Sequence, residues 1–279
     1  METVSENRSH GGVQGVYRHA SAATGTDMTF AVYVPDHEEG AKLPVLWFLS
    51  GLTCDHSNVM EKGEFRAACA EHGIVFVAPD TSPRGDAVAD NDAYDMGKGA
   101  GFYLDATQAP WAQHYRMRSY LESELPDLVA DRFPVDMTRQ SVMGHSMGGM
   151  GALAFALRQP DRFQSASALA PICAPSQVPW GEKAFGAYLG EDRDAWRTYD
   201  PVALIEDGAR VDHLLVDQGT DDQFLGEQLK TGLLALACKK AGIAAQVRMQ
   251  EGYDHSYFTV STFMAEHIAW HAARLGCGS

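Results

Sequence analysis

Ser146 stands between glycines two residues to either side, in Gly144-His145-Ser146-Met147-Gly148, after the apolar pair Val142-Met143 and before the helical-looking stretch from Met150 to Ala156. A G-x-S-x-G pattern between a strand and a helix is a nucleophile elbow. The chain turns so sharply that side chains at the flanking positions would collide, and the serine hydroxyl is left projecting above the sheet edge. The amide of Met147, first in the helix, points at whatever the serine attacks and is a donor for developing negative charge. The chemistry implied is nucleophilic acyl transfer. Five residues alone also fit ordinary turns, so the reading depends on an acid and a base later in the chain.

A serine hydroxyl attacks only when a base takes its proton, and the histidine that does so needs a carboxylate to fix its tautomer. In enzymes built on this elbow the chain order is serine, acid, histidine, with the acid in a loop after a late strand. Asp217-Gln218-Gly219-Thr220-Asp221-Asp222-Gln223-Phe224 follows the apolar run Leu214-Leu215-Val216, and Gly252-Tyr253-Asp254-His255-Ser256-Tyr257 follows the last strand-like segment. His255 is therefore the expected base, and Asp221 and Asp222 are both open as the acid. A second oxyanion donor is expected in the loop after an early strand, Ser50-Gly51-Leu52-Thr53-Cys54, where the backbone amide of Leu52 is the candidate. Among the remaining histidines, His145 is expected to diverge from Ser146 and act in packing. His267 and His271, four apart on a helix, lack the third ligand of a metal site and read as a solvated helix face; no metal is expected.

The elements that must carry these residues alternate. Gly15 to His19 and Met28 to Val34 suggest an antiparallel hairpin. Pro44 to Leu49, Gly73 to Ala78, Val142-Met143, Ser165 to Leu169, His213 to Asp217 and Ala244 to Gln250 read as strands, the continuous apolar ones being buried on both faces. Helical periodicity runs through Met60 to Glu71, Ser119 to Arg132, Met147 to Arg158, Glu227 to Lys240 and Thr262 to Leu275. Alternation of this kind predicts a mostly parallel sheet with helices on both faces. Two long irregular stretches, Asp80 to Tyr115 and Pro171 to Asp200, are candidate walls of the site.

The chain has 279 residues, 45% hydrophobic, and no linker or repeat, so one large α/β domain over residues 1–279 is expected, with a flexible leader over about the first ten. A formal charge of -15, from 37 acidic and 22 basic residues, argues against nucleic acid as a partner. No apolar run is long enough for a membrane span, and Met1 to Arg8 does not read as a secretory signal. Five dispersed cysteines without a C-x-x-C pair read as free thiols of a reducing compartment, and a cytoplasmic protein is expected.

Several stretches taken together resemble S-formylglutathione hydrolases of the esterase D family: Ser50 to Cys54, Pro79-Asp80-Thr81-Ser82-Pro83-Arg84-Gly85, Gly99-Ala100-Gly101-Phe102-Tyr103, Gly144 to Gly149, Asp217 to Phe224, and Gly252 to Tyr257. The resemblance implies an α/β-hydrolase fold, a homodimer, no cofactor, and cleavage of S-formylglutathione to formate and glutathione in formaldehyde detoxification. It implies a triad of Ser146, Asp222 and His255, choosing Asp222 over Asp221, and oxyanion amides from Leu52 and Met147. The sequence departs from the family after the histidine, where Ser256-Tyr257-Phe258-Thr259 replaces a Ser-Tyr-Tyr-Phe pattern. Formyl is the smallest acyl group, so a tight pocket is expected, with Cys54, Phe102, Tyr103, Trp180 and Tyr257 as candidate lining residues.

Three other readings compete. A general short-chain carboxylesterase or acyl esterase would share the fold. A non-catalytic binding module would not need all three triad members. A thiol enzyme using Cys54 would need an elbow and a base near that residue, which the sequence does not supply.

Overall fold

The computed structural model describes residues 1–277. Its centre is a nine-stranded sheet in the order β1-β2-β3-β5-β4-β6-β7-β8-β9. The strands are β1 Glu2–Arg8, β2 Gly12–Ala20, β3 Asp27–Pro35, β4 Leu43–Leu49, β5 Val75–Pro79, β6 Val135–His145, β7 Phe163–Leu169, β8 Leu214–Gly219 and β9 Ala245–Gln250. The first three are antiparallel, β3 joins β5 antiparallel, and β4 to β9 run parallel. This is an α/β-hydrolase fold, and the hairpin expected in the first thirty-odd residues is β2 with β3.

Alternation along β4 explains why an unbroken apolar run forms a strand here. Val45, Trp47 and Leu49 pack into one core and Leu46 and Phe48 into the core on the opposite face, so both sides of the sheet need large apolar side chains. Helices α1 (His56–Lys62), α2 (Arg66–His72) and α10 (Tyr257–Arg274) cover the second face. The first face is covered by α4 (Leu125–Arg132), α5 (Met147–Arg158) and α6 (Pro179–Leu189), with α8 (Pro201–Glu206) and α9 (Thr231–Ala241) extending it. Two short helices, α3 (Met117–Ser119) and α7 (Arg193–Arg197), complete the set. Every residue of α5 except Arg158 is buried, so it reads as apolar all round rather than as an amphipathic stripe.

Some expectations are corrected. The polar segment at residues 1–10 is not a flexible leader but contains β1, an edge strand with every side chain exposed, paired to β2 through its backbone. An edge strand of this kind needs no apolar alternation, which hid it in the sequence. The helix expected from Met60 to Glu71 is two, because Gly63 caps α1 and Glu64 adopts φ 52° before α2 starts. The stretch from Pro171 to Asp200 holds α6 and α7.

Candidate active site

The elbow connects β6 to α5. Ser146 sits at φ 57° and ψ -119°, a conformation that a non-glycine residue holds only when its surroundings enforce it. Two glycines make that possible. A Cβ on Gly148 would lie 1.9 Å from the Leu49 carbonyl oxygen, and one on Gly144 would lie 2.2 Å from that of Gly148. Helix α5 therefore starts directly against the end of β4. The amide of Ser146 is fixed by the carbonyl of Leu169 at 2.9 Å.

Three side chains from distant parts of the chain meet at this bend. Ser146 Oγ lies 2.9 Å from His255 Nε2, and His255 Nδ1 lies 2.6 Å from Asp222 Oδ2. With Nδ1–H donated to the carboxylate, Nε2 is left as the acceptor for the serine proton. Asp222 is held in turn: Oδ1 accepts the Phe224 amide at 2.8 Å and Oδ2 the Gln218 side-chain amide at 3.1 Å, while Gln218 accepts the Thr231 hydroxyl at 2.8 Å. Asp221 is exposed, and its carboxylate meets only the Thr220 hydroxyl.

His145, expected to serve in packing, lies against the base. Its ring centroid is 4.7 Å from that of His255, with Phe224 edge-on at 5.0 Å on His255 as well. Burial holds the His145 imidazole well below its ordinary pKa, and the neighbouring His255 adds to this, so His145 packs as a neutral ring. The glycine-flanked elbow motif gave no sign of this tilted ring contact.

The loop after β4, where the sequence leads one to expect an oxyanion donor, is braced from three directions. Thr53 takes φ 67° and donates its amide to Gly99 at 2.9 Å, while Cys54 closes a turn onto the Gly51 carbonyl at 3.3 Å. Tyr103 Oη donates to the Ser50 carbonyl at 2.7 Å. The Cys54 carbonyl accepts from the Thr81 hydroxyl and from Arg84 Nη2 at 3.1 Å, with Arg84 Nε paired to Asp80 at 2.8 Å. The stretches Pro79 to Gly85 and Gly99 to Tyr103 thus have a common task, fixing the segment from Ser50 to Cys54. Leu52 lies on that segment in the wall of the site, and Met147 opens α5 across from it.

Around Ser146 is a cavity of about 270 Å³ whose walls include Leu52, Cys54, Tyr94, His145, Trp180, Phe224, His255 and Tyr257. Trp180 is held by its indole N–H to Tyr94 Oη at 2.9 Å and packs on Phe224 at 4.7 Å. Phe102 and Tyr103, expected as walls, do not reach the cavity. Phe102 is fully buried against Phe185 and Tyr188, and Tyr103 holds Ser50 from behind, because both belong to the left-handed turn that braces the oxyanion loop. Tyr94 and Phe224 were missed as walls; nothing in their local spacing marks them as such. Burial pushes the Cys54 thiol up to about 11, so at neutral pH it is not a thiolate.

Comparison with known proteins decides the family. The chain matches the esterase family model over residues 21–273. It is 55% identical over 275 residues to an S-formylglutathione hydrolase of Paracoccus denitrificans (strain Pd 1222), covering 99% of this chain and 98% of that one. The chain belongs to the S-formylglutathione hydrolase family. The solved structure of an S-formylglutathione hydrolase from Agrobacterium tumefaciens, 54% identical, superposes with a TM-score of 0.98 over 99% of this chain and all of that one. A ferulic acid esterase from Anaeromyces mucronatus, 19% identical, shares the fold with a TM-score of 0.66 over 99% of this chain and 93% of that one. This member of the family is accordingly a serine hydrolase. No helix among the described residues is long and apolar enough to cross a membrane.

Proposed function

We propose that this protein hydrolyses S-formylglutathione to formate and glutathione, with Ser146 as nucleophile, His255 as base and Asp222 as its orienting acid. The observation that carries the reading is the unbroken hydrogen-bonded line from Ser146 Oγ through His255 to Asp222 Oδ2, at 2.9 and 2.6 Å. His255 Nε2 removes the serine proton as Oγ attacks the thioester carbon, and the oxyanion takes the amides of Leu52 and Met147. Collapse of the tetrahedral species expels the glutathione thiolate, a good leaving group that accepts the proton from His255. Water, deprotonated by the same imidazole, then cleaves the formyl ester of Ser146 and releases formate.

The small cavity favours a small acyl group. Trp180 and Phe224, packed on one another at 4.7 Å, form part of its aromatic walls, and we read them as suiting formyl better than the bulky acid of a feruloyl ester. The alternatives of a different class fare worse: a non-catalytic binding module on a hydrolase scaffold has no use for a complete hydrogen-bonded triad, and a protonated, elbow-free Cys54 is a poor nucleophile. We further propose that the chain works as one domain and as a cytoplasmic homodimer. All five cysteines are free thiols, in keeping with a reducing compartment.

The deciding experiment compares kcat/KM on S-formylglutathione, S-lactoylglutathione and an aryl acetate, for the native protein and for Ser146→Ala. The expected result is a preference for S-formylglutathione and loss of at least about 10⁴ in kcat in the variant with its fold intact. Preference for the aryl ester would make the protein a general esterase, and turnover retained by Ser146→Ala would defeat the serine mechanism.

A further inference from the structure

Away from the cavity, on the α10 face of the sheet, a second set of serines, histidines and an aspartate forms a continuous hydrogen-bonded line that the reaction does not use. Ser141 Oγ lies 2.7 Å from Ser165 Oγ, which lies 2.7 Å from His271 Nδ1. His271 Nε2 lies 2.8 Å from Ser167 Oγ, and Ser167 Oγ 2.8 Å from His267 Nδ1. His267 Nε2 ends the line at Asp217 Oδ2, 3.0 Å away. None of these six residues is more than 2% exposed. His267 and His271 are thus buried rather than on a solvated helix face, which corrects that expectation from their spacing.

With His267 neutral, the line has one consistent arrangement of protons. Asp217 also accepts from Arg248 Nε at 2.7 Å, from Arg248 Nη2, and from Gln250 at 2.9 Å, so it is a pure acceptor. Burial works to raise its pKa, yet the bonds from His267, Arg248 and Gln250 hold it below the usual carboxylate range. A neutral His267 then donates from Nε2 and accepts at Nδ1. Ser167 spends its one proton on that nitrogen and accepts His271 Nε2–H; His271 Nδ1 accepts from Ser165, and Ser165 from Ser141. Every donor in the line has an acceptor, and a buried line satisfied in one direction only tolerates little sliding of its members.

Its anchor points coincide with the elements that carry the triad. Ser141 lies on β6 five residues before Ser146, Asp217 on β8 five residues before Asp222, and His267 and His271 on α10, which starts just after His255. The intervening strand, β7, supplies Ser165 and Ser167 and separates β6 from β8 in the sheet.

We infer that Ser167, His267 and His271 are positioning residues for the triad: the line from Ser141 to Asp217 fixes β6, β8 and α10 to one another and so sets the reach of His255 to both Ser146 and Asp222. The inference rests on the triad proposed above. It predicts that breaking the line alters the chemical step without altering substrate binding.

The test is Ser167→Ala, which removes one hydroxyl at the middle of the line, on a strand that carries no triad residue. Expected are a kcat lowered about tenfold with KM within about twofold, and an upfield move of the low-field proton resonance of the His255 Nδ1–H to Asp222 bond. Cys238→Ala, buried and off the line, serves as a control for plain loss of stability and should leave both readouts unchanged after correction for the folded fraction. If Ser167→Ala does not fold, Ser141→Ala, which removes only the terminal donor, should lower kcat about threefold with the same resonance shift. A folded variant with native kcat and an unmoved resonance overturns the positioning role. Ser146→Ala measured alongside separates the two failures, since turnover retained there would instead overturn the triad.

Discussion

Asp222 and His255 are joined by a 2.6 Å contact between Oδ2 and Nδ1, while Asp221, the adjacent carboxylate, faces outward with Thr220 as its partner. The two aspartates therefore differ in consequence although they are neighbours in sequence. Asp222→Asn presents an amide where His255 needs an acceptor and favours the wrong tautomer, so kcat on S-formylglutathione should fall by about 10⁴. Asp221→Asn should stay within about twofold of native. Steady-state kinetics on the two variants decide the matter, and the reverse ranking would move the acid assignment.

Arg84 never reaches the reacting atoms, yet it holds the carbonyl of Cys54 and is itself tied to Asp80. Loss of that grip frees the loop that presents the Leu52 amide. Removing an oxyanion donor outright costs about 10² to 10³ in kcat, so loosening one through Arg84→Ala should cost about tenfold with KM little changed. A large rise in KM at constant kcat would show that Arg84 contacts substrate instead.

Trp180 lines the cavity around Ser146, hydrogen-bonded to Tyr94 and packed on Phe224, and on the reading above it bounds the acyl group. Trp180→Ala should open space beside the acyl carbon and raise kcat/KM for butyryl and longer esters relative to formyl by about 10- to 100-fold. Activity measured across a series of acyl lengths would reveal this, and an unchanged chain-length profile would remove Trp180 from the acyl wall.

Burial raises the Cys54 thiol to about 11, and a raised thiol pKa means that the reactive thiolate is scarce below that value. Alkylation by iodoacetamide should accelerate with pH towards a midpoint near 11. Because Cys54 lines the cavity, the modified enzyme should lose activity by obstruction while Cys54→Ser stays active. Mass spectrometry of the alkylated peptide alongside activity assays would track both. An inactive but folded Cys54→Ser variant would give the thiol a chemical part in the reaction.

Much of the fold was legible because the strands at the sheet's centre must be apolar on both faces, and β4 and β5 announce this in runs such as Val45 to Leu49. Helix α5 was readable to the residue, since the elbow fixes its start and Arg158 its end. Strand β1 was not legible: its side chains face solvent, so nothing but backbone pairing marks it. At the site, motif order brought Ser146 and His255 to notice, whereas Asp222 needed the family resemblance to separate it from Asp221. The walls were harder. Phe102 and Tyr103 occur in a conspicuous glycine-rich motif, but the turn that motif forms directs them into the core, and the cavity is closed instead by Tyr94 and Phe224 from segments with no periodicity. The packing of His145 against His255, with the rings tilted by 41°, and the buried line through His267 arise from chain crossings that local spacing does not encode.

The contorted backbone at Ser146 is tolerated only while β4, β6 and α5 press together at Gly148. Because α5 is buried from Met147 to Leu157 and starts directly against β4, that geometry is given up only when the packing of these central elements is given up with it. Catalytic competence is then tied to the integrity of the sheet's centre. On heating, turnover and the circular dichroism of the folded protein should fade together.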